Sequence, residues 1–194
     1  LTTHSPYFID FAHFEDLEPN MLNIMRITFD NSKKSSYVHF IKKEEFKYKE
    51  AKALLINQEV IDALFSNIAI VCEGDDEYLL AKLTLPKALG RELSNYEIVP
   101  IHTEGQKSLD KYCEILERFG VNYLVYCDQK AFRYLKNGKT TEKCIDKIVS
   151  VPAEDMQTYL TDTYHELAKI CRKELGIRDN KNSSLTYCII KNII

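Results

Sequence analysis

The chain has 194 residues, 45% of them hydrophobic and 28% charged, with 26 Lys and Arg against 29 Asp and Glu for a formal net charge of −3. That is enough apolar material for one sizeable core. The mildly acidic balance excludes a general polycation, so contact with DNA has to come from local basic patches or a bound metal. No apolar run approaches the roughly 18 residues of a membrane span, and no basic-then-apolar leader is visible. The expectation is a cytoplasmic protein with no membrane partner. Cys72, Cys113, Cys127, Cys144, Cys171 and Cys188 form no CxxC pair, which argues against structural zinc and for small core residues in a reduced setting.

In chain order, Leu1-Thr2-Thr3-His4-Ser5-Pro6 reads as the end of a strand running into a turn. With no initiator Met before it, the chain is expected to be a fragment of a longer polypeptide. Tyr7 to Phe14 is aromatic and suits a short helix. Asn23 to Phe29 and Ser35 to Ile41 are β-rich runs around the five-residue loop Asp30 to Lys34, the pattern of a hairpin. From Glu44 to Phe65 the composition is helical, with a break expected near Asn57.

The rhythm changes at Asn67. Ile68 to Cys72 is a continuous apolar run of the kind buried in a parallel sheet. A helix is expected from Glu77 to about Leu89, a second strand over Tyr96 to Ile101, and a second helix from Ser108 to Phe119. Val121 to Cys127 reads as a third strand, Ile145 to Val151 as a fourth, and Asp155 to Leu175 as one long helix. Strands alternating with helices predict an α/β fold with a parallel sheet. Arg178 to Ser184 is a polar linker, and an apolar tail follows.

In open parallel sheets function gathers at the carboxyl ends of the strands. Glu73 stands directly after the first of these strands and Asp128 directly after the third. Glu77, four residues beyond Glu73, is expected to turn back toward the same rim from a helix beginning near Gly74. Gly74 is expected to permit the tight turn. Three converging carboxylates suit Mg²⁺ or Mn²⁺, which prefer oxygen ligands, although acids at a helix start also serve simply to complement its dipole.

The run Ile70-Val71-Cys72-Glu73-Gly74-Asp75-Asp76-Glu77 resembles the first Toprim motif, a hydrophobic strand followed by E-G-x-x-E. Ile61-Asp62-Ala63-Leu64-Phe65-Ser66 is similar to the lead-in found in OLD-family (overcoming lysogenization defect) nucleases. Leu1 to Pro6 resembles the T-H-S-P switch loop that closes their ABC-type ATPase domain. The resemblance covers residues 1 to about 130 and implies a Toprim-like, Rossmann-like parallel sheet flanked by helices. A β-hairpin and helix from the end of an ATPase domain would precede it. On that reading residues 1–45 are the remnant of the ATPase domain, 46–66 a helical connector, 67–175 the Toprim domain and 176–194 a tail. The resemblance implies that His4 is a switch histidine sensing ATP in the full-length protein, where a missing N-terminal ATPase domain would bind it. No G-x-x-x-x-G-K-[ST] occurs in this sequence.

Two departures from the family pattern stand out. Toprim domains carry D-x-D after the third strand, and this sequence has Asp128-Gln129-Lys130, which removes one oxygen ligand and places an ammonium there. Lys130 is then a candidate contact to the scissile phosphate. After the second strand, Glu104-Gly105 keeps one glycine of the family's turn. Glu154 and Asp155 are candidates to supply the missing metal ligand, and equally read as an acidic helix start after Pro152. Lys130, Arg133, Lys136, Lys139 and Lys143, interleaved with Phe132 and Tyr134, read as a phosphate-contacting loop or as a solvated face. Asn137-Gly138 reads as a turn tip.

The resemblance implies a metal-dependent DNA endonuclease or nickase module in phage defence, acting on DNA and homo-oligomeric in the full-length protein. Glu73, Glu77, Asp128 and Lys130 would carry the chemistry. The alternative is a catalytically degenerate Toprim domain serving as a scaffold or partner-binding module. A primase- or topoisomerase-type Toprim ranks last, because no tyrosine nucleophile can be assigned.

Overall fold

The computed structural model describes Pro6, residues 24–40, Leu54, residues 57–137, residues 146–175 and residues 188–190. His4, the helix expected at 7–14, Gly138, Lys139, Lys143 and the linker 178–184 lie outside the described residues.

The first element is an antiparallel hairpin of β1 (Met25–Asp30) and β2 (Ser35–Phe40), paired from Met25 with Phe40 to Asp30 with Ser35. Its loop has four residues, one fewer than expected, because Asp30 belongs to the strand. The Asp30 carboxylate then accepts from the backbone N–H of Ser32 at 2.9 Å and of Lys33 at 3.1 Å, closing the turn from its own side chain. The short helix α1 (Gln58–Ala63) follows, with the Asn57 side chain accepting from Glu59 N–H at 2.8 Å. That cap is the physical basis of the expected break at Asn57.

Four parallel strands form the body: β3 (Ile68–Cys72), β4 (Ile98–His102), β5 (Asn122–Cys127) and β6 (Ile148–Ser150), in the order β4-β3-β5-β6. Helix α2 (Asp75–Leu89) connects β3 to β4, and α3 (Leu109–Arg118) connects β4 to β5. The chain first steps from β3 to one side and then crosses back past it to β5. With right-handed crossovers, those two connections must lie on opposite faces of the sheet.

The packing agrees. Ala69, Val71, Ile101, Tyr123, Val125 and Cys127 turn to one face, against α1, α3 and helix α4 (Gln129–Asn137). Leu109, Tyr112, Cys113 and Leu116 supply the i, i+3, i+4, i+7 stripe of α3 and are all buried. On the other face Leu79, Leu80 and Leu83 of α2 pack with Met156, Leu160, Ala168 and Cys171, which come from α5 (Met156–Thr163) and α6 (His165–Leu175). Ile189 and Ile190 of the tail are fully buried in this second cluster, so that part of the tail packs on the core. Each such aliphatic side chain contributes about 1.5–3 kcal/mol of transfer free energy. Cys72, Cys113, Cys127 and Cys171 are buried and unbridged, as small core residues.

Three expectations change. Tyr96 lies in a 3₁₀ turn, Leu93–Tyr96, and β4 begins only at Ile98, after Glu97 takes a left-handed backbone (φ 53°). The basic stretch after Asp128 is helical rather than a loop, because Ala131 and Leu135 stand four apart and both bury against the sheet. The last helix divides at Tyr164 (φ −118°, ψ 45°). Just before that point Thr161 Oγ1 donates back to the carbonyl oxygens of Gln157 (2.9 Å) or Thr158 (3.1 Å), a side-chain bond that bends helices.

The hairpin docks on the body through Arg26. Its guanidinium donates to the carbonyl oxygens of Leu64 (2.8 Å), Ser66 (3.3 Å), Phe119 (3.2 Å) and Gly120 (2.7 Å). These carbonyls lie just beyond the ends of α1 and α3, where a cation is favoured. The opposite face of the hairpin carries Met25, Ile27, Phe29, Val38 and Phe40, all exposed. Among the described residues no helix is long and apolar enough to cross a membrane.

Candidate metal centre

Because β4 and β5 flank β3 on opposite sides, the sheet's topological switch point lies at the carboxyl ends of β3 and β5. Glu73 and Asp128 follow those two strands. The Glu73 backbone is fixed from both sides. Its N–H donates to Tyr126 O at 3.1 Å, and its carbonyl oxygen accepts from Gly105 N–H at 2.9 Å and Thr103 Oγ1 at 3.0 Å. Gly105 has φ 96°, a conformation open to glycine, and so lets this turn fold back onto Glu73.

The side chains of Glu73, Glu77 and Asp128 share this rim. Glu73 Oε2 accepts a long bond, 3.4 Å, from Asp128 N–H, while Asp128 Oδ1 caps α4 by accepting from Ala131 N–H at 2.7 Å. Glu77 and Asp128 are only 5% and 7% exposed, unusual burial for carboxylates. Burial, then the neighbouring charge of Asp128, pushes the Glu73 carboxyl up to about 7. Burial chiefly pushes Glu77 up to about 8; the ionised neighbours Glu73, Asp76 and Asp128 add to the rise, and its own backbone N–H partly offsets it.

Gly74 plays a different part from the one expected. Its backbone is extended (φ −150°, ψ −171°), in the region open to ordinary residues. What the absent side chain leaves is space: a Cβ there would meet Glu77 Oε2 at 3.4 Å.

The other candidates are placed as follows. Lys130 is exposed in the first turn of α4, close enough for its charge to lower the Glu73 carboxyl's affinity for a proton. Glu154 is exposed and ion-paired with Arg133. Asp155 caps α5, accepting from Thr158 N–H at 2.7 Å. Lys130, Arg133 and Lys136 are exposed on α4.

Sequence reasoning did not single out Asp76. Its carboxyl is raised chiefly by burial, with Asp75 and Asp155 adding to it, and it accepts from Gln157 Nε2 at 2.7 Å. The signal was its place inside the E-G-x-x-E run; nothing in the sequence joined it to Gln157, 81 residues away.

The donor set suits a hard cation: three carboxylates, two of them near neutrality because like charges and burial oppose their ionisation. Among the described residues no three His, Cys, Asp or Glu side chains already close around one point. An ion that keeps several of its waters, as Mg²⁺ does, fits such a half-open rim better than one needing a complete protein cage.

Part of this chain is similar to known proteins. Residues 64–129 match the family model described as overcoming lysogenization defect protein-like, TOPRIM domain. Similar solved structures include the C-terminal region of the Xanthomonas campestris pv. campestris OLD protein phased with platinum. That structure is 15% identical, with 68% of this chain and 80% of that chain covered and a TM-score of 0.42. The same region phased with mercury is 14% identical, with 66% and 74% covered and a TM-score of 0.40. No curated protein matches this chain. Over residues 64–129, this chain is similar to the OLD-like Toprim domain.

Proposed function

We propose that this chain is the metal-dependent nuclease module of an OLD-like ATPase-nuclease, hydrolysing or nicking DNA phosphodiester bonds. The observation that carries the reading is the group of carboxylates at the switch point of the sheet, buried Glu77 and Asp128 with half-buried Glu73. Glu73, Glu77 and Asp128 would hold Mg²⁺ or Mn²⁺, with Asp155 and Glu154 as further candidates. A bound divalent ion supplies polarisation of a phosphoryl oxygen and a water of lowered pKa.

The chain's own residues would bind and orient the substrate. Lys130, at the N-terminal end of α4, offers a point charge to the phosphate next to the carboxylates. Lys136 continues that exposed surface along the helix, and Tyr134, 39% exposed, offers a face on which a base can stack. Arg133 joins this path once it exchanges Glu154 for a phosphate. The domain division, with 1–45 and 46–66 leading into a Toprim domain over 67–175, belongs to the same proposal. So do an ATP-sensing role for His4 in the full-length protein, homo-oligomerisation, cytoplasmic location and a role in phage defence.

The test is a supercoiled plasmid incubated with the chain and Mn²⁺. Nicking is expected, and Glu73→Ala is expected to lose it by at least about 100-fold, as loss of a metal ligand should. Absence of nicking by both this chain and the full-length protein with ATP overturns the reading.

A second reading, a Toprim domain that keeps the fold without catalysis, is favoured by Lys130 standing where a second aspartate is usual. Calorimetric titration separates the two: a working site binds Mn²⁺ and loses it in Glu73→Ala, whereas a degenerate one gives no heat in either protein.

A further inference from the structure

Helix α1 is gripped at both ends. Beyond its C-terminal end the carbonyl oxygens of Leu64 and Ser66 accept from Arg26 of the hairpin. In its first turn Glu59 reaches the other way, toward the rim. One of its carboxylate oxygens accepts from the Tyr78 hydroxyl, and the other accepts from the backbone N–H of His102 at 2.6 Å.

The direction of this chain of hydrogen bonds is fixed by chemistry. Lys82 Nζ lies 2.9 Å from Tyr78 Oη and 4.8 Å from the ring centroid. An ammonium can only donate, so the Tyr78 hydroxyl accepts from Lys82 and must give its own proton to Glu59. The His102 ring packs edge-on against Tyr78, with centroids 5.7 Å apart, and its Nε2 meets Asp75 Oδ1 at 3.1 Å. Glu59 therefore bridges the first turn of α2 and the end of β4.

Tyr78 is the residue after Glu77, and its N–H donates to Gly74 O at 3.0 Å in the opening turn of α2. Consecutive residues on a helix share one backbone, so whatever fixes the direction of Tyr78 also fixes that of Glu77. We propose that Glu59 is a positioning residue: through Tyr78 and the His102 amide it sets the rotation of the first turn of α2 that aims Glu77 at Glu73 and Asp128. By this route α1, and the Arg26 hairpin bound to its far end, governs the geometry of the rim. The inference rests on the reading above, in which Glu77 holds a metal.

Tyr78→Phe removes only the hydroxyl, Glu59→Ala removes the bridge, and Glu59→Gln keeps an acceptor for one of its two donors. The measurements are Mn²⁺ affinity by electron paramagnetic resonance, thermal stability, and amide hydrogen exchange of Tyr78. Tyr78→Phe and Glu59→Ala are expected to weaken Mn²⁺ binding about 10-fold, as outer-shell partners of metal ligands do. Glu59→Gln should recover part of that loss, and the Tyr78→Phe, Glu59→Ala pair should be no worse than either alone. If folded Tyr78→Phe and Glu59→Ala bind Mn²⁺ like the parent, the bond is only a structural tie and the proposal is overturned. Should the parent chain itself bind no Mn²⁺, the metal reading fails, and exchange decides the link by itself. Faster exchange at Tyr78 in the variants supports the link, and unchanged exchange refutes it. Should Glu59→Ala fail to fold, Tyr78→Phe decides the outcome alone.

Discussion

Arg26 of the hairpin donates to the carbonyl oxygen of Gly120, at the turn between α3 and β5, across 2.7 Å and 94 residues of sequence. Gly120 is left-handed (φ 60°), and a Cβ at that position would overlap the ring of His39, the cross-strand partner of Arg26. The hairpin and the sheet are thus fitted together at a point where neither residue tolerates replacement. Arg26→Ala should lower unfolding free energy by about 1–3 kcal/mol, since it leaves half-buried carbonyls without a donor. Arg26→Lys should recover little, because a point charge cannot serve four acceptors in a fork. Gly120→Ala should be at least as damaging. Urea denaturation checks all three; an Arg26→Ala protein as stable as its parent would refute the clamp.

Protonation of the rim gives the protein a characteristic dependence on pH. Glu73 and Glu77 in the folded state hold protons up to about 7 and about 8, whereas an unfolded chain releases them near 4.3. The folded state therefore binds more protons between those values, and stability falls as pH rises. The extra stability is fully present below about pH 4 and gone above about pH 8. Without divalent metal, the melting temperature should decline from pH 5 to pH 8. Glu77→Gln should flatten the slope, and a profile unchanged by that substitution would remove the basis for it.

Metal should reverse the trend. Mn²⁺ binding has to displace the protons held by Glu73 and Glu77, so affinity should rise with pH and level off near pH 8. Calorimetry at pH 6.5 in buffers of different ionisation enthalpy should report proton release on binding. Equal heats in all buffers would mean that these two carboxylates are not the ligands.

Lys130 separates two roles by opposite signs. Lys130→Ala should weaken DNA binding and lower its salt dependence by about one phosphate contact, while leaving Mn²⁺ affinity equal or tighter. Lys130→Asp should tighten Mn²⁺ binding by adding an oxygen donor near Glu73. Loss of Mn²⁺ binding in Lys130→Ala would contradict both assignments.

Gly74→Ala tests space rather than backbone freedom. The extended conformation accepts alanine, so stability should change by less than about 1 kcal/mol. The added methyl would stand against Glu77 Oε2, and Mn²⁺ affinity should fall several-fold by titration. A large loss of stability with unaltered affinity would show that the turn, not the carboxylate, needs the glycine.

The parallel sheet was legible because its strands are short apolar runs, two of them with an acid directly after the carboxyl end. Glu73 and Asp128 could be placed at one rim from that pattern and the order of elements. Helix α4 was not legible: its buried face is only Ala131 and Leu135, and three cations over the same stretch mask so narrow a stripe. The division at Tyr164 carries no Pro or Gly, and a threonine's choice to bond back to its own helix is set locally. Arg26 and Glu59 left no trace in the sequence, since they act on partners 19 to 94 residues away. Long-range pairing of that kind has no period to detect.

The hairpin's outward stripe governs how the protein behaves in bulk. Met25 faces Phe40 and Ile27 faces Val38, with Ile27 66% exposed, so one side of the ribbon is a continuous oily strip. Strips of this kind promote sticking between molecules whatever the overall charge, and a net charge of −3 offers little repulsion against it. Solubility should therefore be limited by these five exposed side chains. Ile27→Thr with Val38→Thr should raise the concentration at which the protein begins to scatter light, while its melting temperature stays the same.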